Sequence, residues 1–316
     1  MEDITCPLCG AYDAALLFTR KDHTYRISNQ PFNVVRCRRC SLVYVNPRPT
    51  ENHIHHYYPD DFYSVNLDKD ALLRDQDRQL KLKWKYVSHL RPGKLIDIGC
   101  MKGEFLNWMQ QRGWEVQGVE FSSKPPNVFN LDICYKNLVE SDLPANSFDL
   151  VTLWAVLEHV YHPRAMLRQV WRVLKPGGTI VLLVTNINSL PGRLMRHDDI
   201  PRHTILFSER TLTRMLQRTG FVSTRVMFNC RLFGGSNRGL LNYLVKLAAG
   251  ERMEYILSQN RDPNRWHEFS RQVRGRDYPW MKWIDKADIA LTPWLDRMFD
   301  RLHLGFIMLA EARKPD

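Results

Sequence analysis

The chain has 316 residues, a net charge of +11 and an ordinary 44% apolar content. That is enough for a full α/β domain with a core and a smaller module beside it, and it excludes a disordered or collagen-like chain. No apolar run approaches membrane-span length and the start "MEDITCPLCG" lacks an apolar signal core, so a cytoplasmic protein is expected.

The first element is a pair of matched turns, Cys6-Pro-Leu-Cys9 and Cys37-Arg-Arg-Cys40. Each C-x-x-C turn aims two sulfurs at one point, and together they match a structural four-thiolate zinc site. Gly10 and Ser41 follow the second cysteine of each pair, where small residues let the backbone turn. Cys100, Cys134 and Cys230 stand alone in apolar surroundings and read as packing residues. Residues 1–48 are thus a zinc module. The Pro- and Tyr-rich connector that follows holds His53, His55 and His56 with no acid or Cys at ligand spacing, so it reads as polar rather than metal-binding. Leu72, Leu73, Leu80, Trp84 and Val87 predict a helix over 68–90.

Strand and helix signals then alternate. "KLIDIG" is a strand, "GEFLNWMQQRG" a helix closed by Gly113, "EVQGVE" a second strand and "SFDLVTLWAVL" a third. The segment "PRAMLRQVWRVLKPGG" is a helix stopped at Pro176, and "TIVLLVT" is another strand. Ser208 N-caps the helix "SERTLTRMLQRTG", with Gly220 at its end. "FVSTRVMF" and "GFIMLAEARK" complete an α/β fold, a Rossmann-like, doubly wound, mostly parallel sheet over 91–234 plus 303–316. Residues 235–302 form a helical insertion before the last strand. Residues 191–316 carry 22 Lys and Arg against 14 Asp and Glu, so +8 of the +11 lies in the last third. That bias suits an acidic partner or a plain solvated face.

The ligand is read from the loop "DIGCMKG". A dinucleotide loop avoids an acid beside the pyrophosphate, yet Asp97 stands two residues before Gly99. An acid there suits an ammonium group. Glu120, 23 residues on, ends the next strand, where an acid accepts bonds from ribose hydroxyls. A ribose, an ammonium and no phosphate describe S-adenosylmethionine.

The segments "LIDIGCMKGEFL", "GVE", "DLPANSFDLVTLWAVLEHVYHP", "LKPGG" and "PRHTILFSERTLTRMLQRTGF" resemble, in order and spacing, the class I S-adenosylmethionine-dependent methyltransferases. "CRRCSLVYVNPRP" is similar to a bacterial subgroup with an N-terminal zinc-ribbon-like module. The resemblance implies that Asp97, Gly99, Cys100 and Gly103 hold the methionine end of the cofactor. Glu120 would hold the ribose, Phe121 would lie beside the adenine, and Trp154 would line the methyl-transfer face. Met101 departs from the pattern, which has a small residue there. It is tolerated if its side chain points outward and φ stays negative. Pro125 and Pro126 are expected to shorten the helix after Glu120.

An oxygen acceptor needs a base, and His203 and His159 fall where the pocket belongs, outside the carboxyl ends of parallel strands. His159 also reads as a helix-start packing residue, and His203 as plain loop. Arg202 is a candidate to orient an acidic acceptor. Ubiquinone-pathway O-methyltransferases resemble this region but carry a metal-binding Glu where Ala155 stands, so a metal at Glu158 and His159 is not expected. The leading function is methylation of a small molecule, a sugar or a glycan or lipid precursor. An RNA methyltransferase is the alternative, weakened because "LWAVLEHV" stands where amino-group methylation would place an "NPPY"-type segment. A non-catalytic binding protein is the third reading, motivated by Met101. In residues 277–305, Trp280, Trp283, Trp294, Met298 and Leu302 share a helical face with Lys282, Lys286, Arg297 and Arg301. That pattern suits a lid that touches the inner membrane face, or tryptophans packed on the sheet. Oligomeric state is not legible.

Overall fold

The computed structural model describes residues 1–59, 69–122, 127, 129–195, 199–233, 237–248 and 281–316. The N-terminal strands β1 (Ala14–Arg20), β2 (Phe32–Cys37) and β3 (Val43–Val45) form an antiparallel meander. Its fourth strand comes from far along the chain. The short strand Ile205–Leu206 pairs with Tyr44 and Val43, and Val45 N–H donates to the Thr204 carbonyl at 3.0 Å. The zinc-type module is therefore stitched to the segment that carries His203.

Helix α1 spans Lys69–Trp84. The large sheet then begins with β4 (Lys94–Ile98), followed by α2 (Glu104–Gln110), β5 (Glu115–Val119) and β6 (Ile133–Cys134). β7 (Phe148–Trp154), α3 (Pro163–Val173) and β8 (Leu174–Thr185) return the chain to the other side of β4. Calling Ile205–Leu206 β9, the next elements are α4 (Leu190–Met195, before β9), α5 (Glu209–Arg218) and β10 (Val222–Phe228). Helices α6 (Leu240–Ala248) and α7 (Met281–Arg301) precede β11 (Ile307–Arg313).

The seven-stranded order is β10-β11-β8-β7-β4-β5-β6, with β4 to β8 parallel and β11 antiparallel to both neighbours. The winding direction reverses between β4 and β7, which opens a crevice at their carboxyl ends. Strands such as "LIDI" and "TIVLLV" are apolar on both faces because helices cover both sides. One detail departs from expectation. Helix α3 stops at Val173, three residues before Pro176, since the residue preceding proline disfavours helix. The prolines at 125 and 126 lie outside the described residues. The α5 caps agree with expectation, with reciprocal Ser208 and Thr211 bonds and Gly220 at φ +96°.

Helix α7 is amphipathic in an unusual sense. Its inner face carries acids that satisfy loop and α6 N–H groups. Asp288 accepts from Gly239 and Leu241, Asp296 from Asn237, and Asp300 from Cys230. Its outer face leaves Trp283 and Trp294 exposed at 70% and 59%, and Leu302, just past its end, is exposed at 58%. These tryptophans do not pack on the sheet. Trp280 lies outside the described residues.

Candidate functional site

Asp97 is the fourth residue of β4, buried at the floor of the crevice. Thr152 of β7 donates to its Oδ1 at 2.6 Å. Burial pushes the Asp97 carboxyl up to about 7, against the pull of the Lys83 ammonium and the Thr152 bond. Above it the chain turns sharply. Gly99 has φ +72°, and a Cβ there would meet Val156 Cγ2 at 2.5 Å. Gly103 has φ +82° and faces Leu131. Both positions require glycine.

Met101 is also left-handed, at φ +52°, with its side chain 37% exposed. The expectation of negative φ is thus corrected: the side chain does point outward, but at a backbone cost. Its N–H donates to Glu120 Oε2 at 2.8 Å, and Ser122 N–H donates to Oε1 at 3.1 Å. The Glu120 carboxylate, at the end of β5, therefore clamps the turn. Cys100 is buried, and its sulfur fills the space over Gly118, so it packs the loop from below. Phe121 is half-exposed at the rim. Trp154 ends β7, its ring edge-on to Phe105 with centroids 5.1 Å apart, and its buried Nε1 has no hydrogen-bond partner.

This niche fits an adenosyl-type zwitterion. A desolvated carboxyl group, a glycine turn and an unpartnered buried donor lie around one crevice.

A second group lies past the end of β7. Glu158, His159 and His203 bring one ligand-type atom each to within 4.8 Å of one another. The His159 and His203 rings pack edge to face with centroids 4.7 Å apart. His159 Nδ1 lies 3.2 Å from the Arg202 carbonyl and 3.2 Å from Tyr58 Oη. A carbonyl only accepts, so Nδ1 carries the proton and Nε2 keeps a free lone pair. Burial lowers the basicity of both imidazoles, His203 to about 3, so both are neutral at neutral pH. Burial pushes Glu158 up to about 8, and its Oε2 has no partner. The sequence placed His159 and His203 at the pocket separately, and the fold brings them together with Glu158 although 44 residues separate the two histidines.

Arg202 does not reach toward an acceptor. Its guanidinium is buried and bonded to Asp22 at 2.8 Å and Asp199 at 2.6 Å, with a further bond to the Tyr57 carbonyl. Burial opposes ionisation of Asp199, yet the Arg202 charge and its hydrogen bond outweigh it and hold the carboxyl below its usual range. The ion pair joins the N-terminal module to the residue before His203. Sequence reasoning missed Asp22, because nothing local marks a partner 180 residues away.

The four module cysteines form one cluster. Sγ atoms of Cys6 and Cys40 lie 3.4 Å apart and those of Cys9 and Cys37 3.5 Å apart, with all four thiols free of disulfides. Tetrahedral Zn–S bonds of about 2.3 Å place sulfurs about 3.8 Å apart. The two turns are built alike: Gly10 N–H donates to the Cys6 carbonyl and Ser41 N–H to that of Cys37, with both Gly10 and Ser41 at positive φ.

Residues 72–226 match a family model described as a methyltransferase domain. A ubiquinone biosynthesis O-methyltransferase of Stutzerimonas stutzeri is 32% identical over 121 residues, covering 34% of this chain and 52% of that protein. One of Acinetobacter baylyi is 29% identical over 126 residues, covering 36% and 53%. The chain spans about half the length of the curated relatives it matches. A solved SAM-dependent methyltransferase from Archaeoglobus fulgidus is 17% identical with a TM-score of 0.49, covering 78% of this chain and 100% of that one.

Proposed function

We propose that this chain, whose residues 72–226 match a family model described as a methyltransferase domain, is an S-adenosylmethionine-dependent methyltransferase that acts on a hydroxyl of a small molecule. The observation that carries the reading is buried Asp97 beneath the Gly99–Gly103 turn, with Glu120 closing the turn from β5. Asp97 would hold the cofactor's ammonium, and the remaining lone pairs of Glu120 its ribose hydroxyls. Phe121 would flank the adenine. When bound, S-adenosylmethionine supplies a sulfonium methyl that is already electrophilic, so the protein mainly aligns the acceptor.

The neutral His159 and His203 pair takes the acceptor's proton, with the free lone pair of His159 Nε2 nearest to that task. Tyr58 and the Arg202 carbonyl keep the His159 ring in register. The relatives' names support an oxygen acceptor on a small molecule. A sugar or a glycan or lipid precursor is the finer proposal. Its support is the outer face of α7, where exposed Trp283 and Trp294 lie with Lys286, Arg297 and Arg301, the composition of an interfacial helix. No described helix is long and apolar enough to cross a membrane. Cys6, Cys9, Cys37 and Cys40 would hold a structural zinc ion.

His159→Gln and His203→Gln test the chemistry. Each should cut kcat by about 10²–10⁴-fold while leaving cofactor affinity unchanged. Unchanged turnover in both variants would overturn the assignment.

A further inference from the structure

Helix α5 carries Arg214 and Arg218 one turn apart, so both guanidiniums project from one side of the helix. Like charges at that spacing repel unless an acid answers them. None does here. Arg214 makes no ion pair and no side-chain hydrogen bond among the described residues, and neither does Arg39 of the second knuckle. Arg38, beside it, is by contrast paired with Asp13 at 3.2 Å. Arg218 donates to the Leu8 carbonyl at 2.9 Å, which fixes its place but cancels none of its charge.

The three cations converge on one cleft of about 440 Å³, with Leu8, Cys9 and Cys40 on its module side and no carboxylate in its lining. Small-molecule sites occupy about 300–1,000 Å³. The cleft is separate from the cofactor crevice. Helix α5 begins six residues after His203 and runs ten residues to Arg218, about 15 Å at 1.5 Å per residue.

Two duties that need no ligand leave the cluster unexplained. A four-thiolate zinc site carries two negative charges, fewer than three guanidiniums supply, and no arginine donates to a cysteine sulfur among the described residues. A cation at a helix C-terminus answers the macrodipole, and Arg218 fills that place. Arg214 lies a turn inside, and Arg39 belongs to another element.

We propose that this cleft binds a phosphorylated small molecule, its phosphate oxygens gripped by the guanidiniums of Arg39, Arg214 and Arg218. Guanidinium forks match phosphate bidentately and keep their charge across the working pH range. A phosphate held there ties the second knuckle to α5, beside the Arg218–Leu8 bond, and so fastens the cysteine module to the helix that packs on β10 and β11. The site does not depend on the methyltransferase reading.

Inorganic pyrophosphate is the probe, because it carries the phosphate chemistry without an adenosine that would enter the crevice. Titration calorimetry uses the full chain, purified under reducing conditions, at physiological salt, with metal content checked before and after. Wild type should bind at one site per chain and melt at a higher temperature with pyrophosphate present. Arg39→Gln and Arg214→Gln should each weaken binding by about tenfold or more. Arg39 is exposed and Arg214 half-buried, so neither change opens the core. Arg210→Gln removes the same charge one turn before Arg214, outside the cleft lining, and should bind like wild type. Equal weakening in all three variants would mean diffuse charge attraction and overturn the proposal. So would a folded wild type with no saturable binding. A short single-stranded RNA that binds the patch while pyrophosphate neither binds nor competes would make it a nucleic-acid surface and overturn the proposal as well.

Discussion

Replacing Asp97 by Asn should stabilise the free protein while weakening its grip on the cofactor. Burial moves the Asp97 carboxyl from 3.8 to about 7. A carboxyl raised on folding leaves stability intact below its unfolded pKa and removes it as pH climbs towards the folded value. A displacement of about 3 pH units at about 1.4 kcal/mol each amounts to roughly 4 kcal/mol lost by pH 8. Asn keeps an oxygen for the Thr152 hydroxyl, which donates to Asp97 Oδ1 at 2.6 Å. It sheds the charge, and Lys83 loses a counter-charge, which returns part of the gain. The net expectation at pH 8 is a variant more stable by about 2–4 kcal/mol, converging with wild type towards pH 4. Urea denaturation followed by tryptophan fluorescence at several pH values reads this directly. A difference constant across pH, or a variant less stable at pH 8, would refute the burial argument. In the same variant, S-adenosylmethionine affinity should fall by about 1.5–3 kcal/mol, the worth of one charged hydrogen bond.

Met101→Gly should raise stability by about 1 kcal/mol, because a left-handed non-glycine backbone costs that much, and calorimetry should find cofactor affinity kept. A loss of affinity would mean that the thioether touches the ligand. Reductively purified protein should contain one zinc per chain, and Cys9→Ser should lower it and expose the module to proteolysis. Since β3 pairs with the strand that follows His203, the same variant should also lose turnover. Vesicles rich in anionic lipid should sediment wild type at low salt and release the Trp283→Ala, Trp294→Ala double variant. Wild type remaining in the supernatant would remove the membrane proposal.

The strand and helix sequence was legible because local signals carried it: the apolar runs of β4 and β8, the Ser208 cap, the glycine that closes α5. The zinc-type knuckles and the Asp97–Glu120 pair were legible for the same reason, since each depends on short spacing. What escaped notice is non-local. Strand β9 has two residues and no periodicity to detect, yet it joins two sheets. The Asp22–Arg202 pair spans 180 residues, so Arg202 looked free when it is bound at both ends. Lys83 stands between Lys81 and Lys85, so nothing local marks it as the lysine whose ammonium faces Phe105 and Trp154. Met101 shows the limit from the other side. A strained backbone cannot be read from residue type, because it persists only where bonds such as Met101 N–H to Glu120 hold it.

Calorimetric titration of wild-type protein with S-adenosylmethionine between pH 6 and pH 8.5 tests the central claim most directly. The account predicts saturable binding at one site per chain. Affinity should rise as pH passes through about 7 and Asp97 ionises, and it should be weakened in Glu120→Ala. Absence of binding across that range, in protein shown to be folded by circular dichroism, would contradict it.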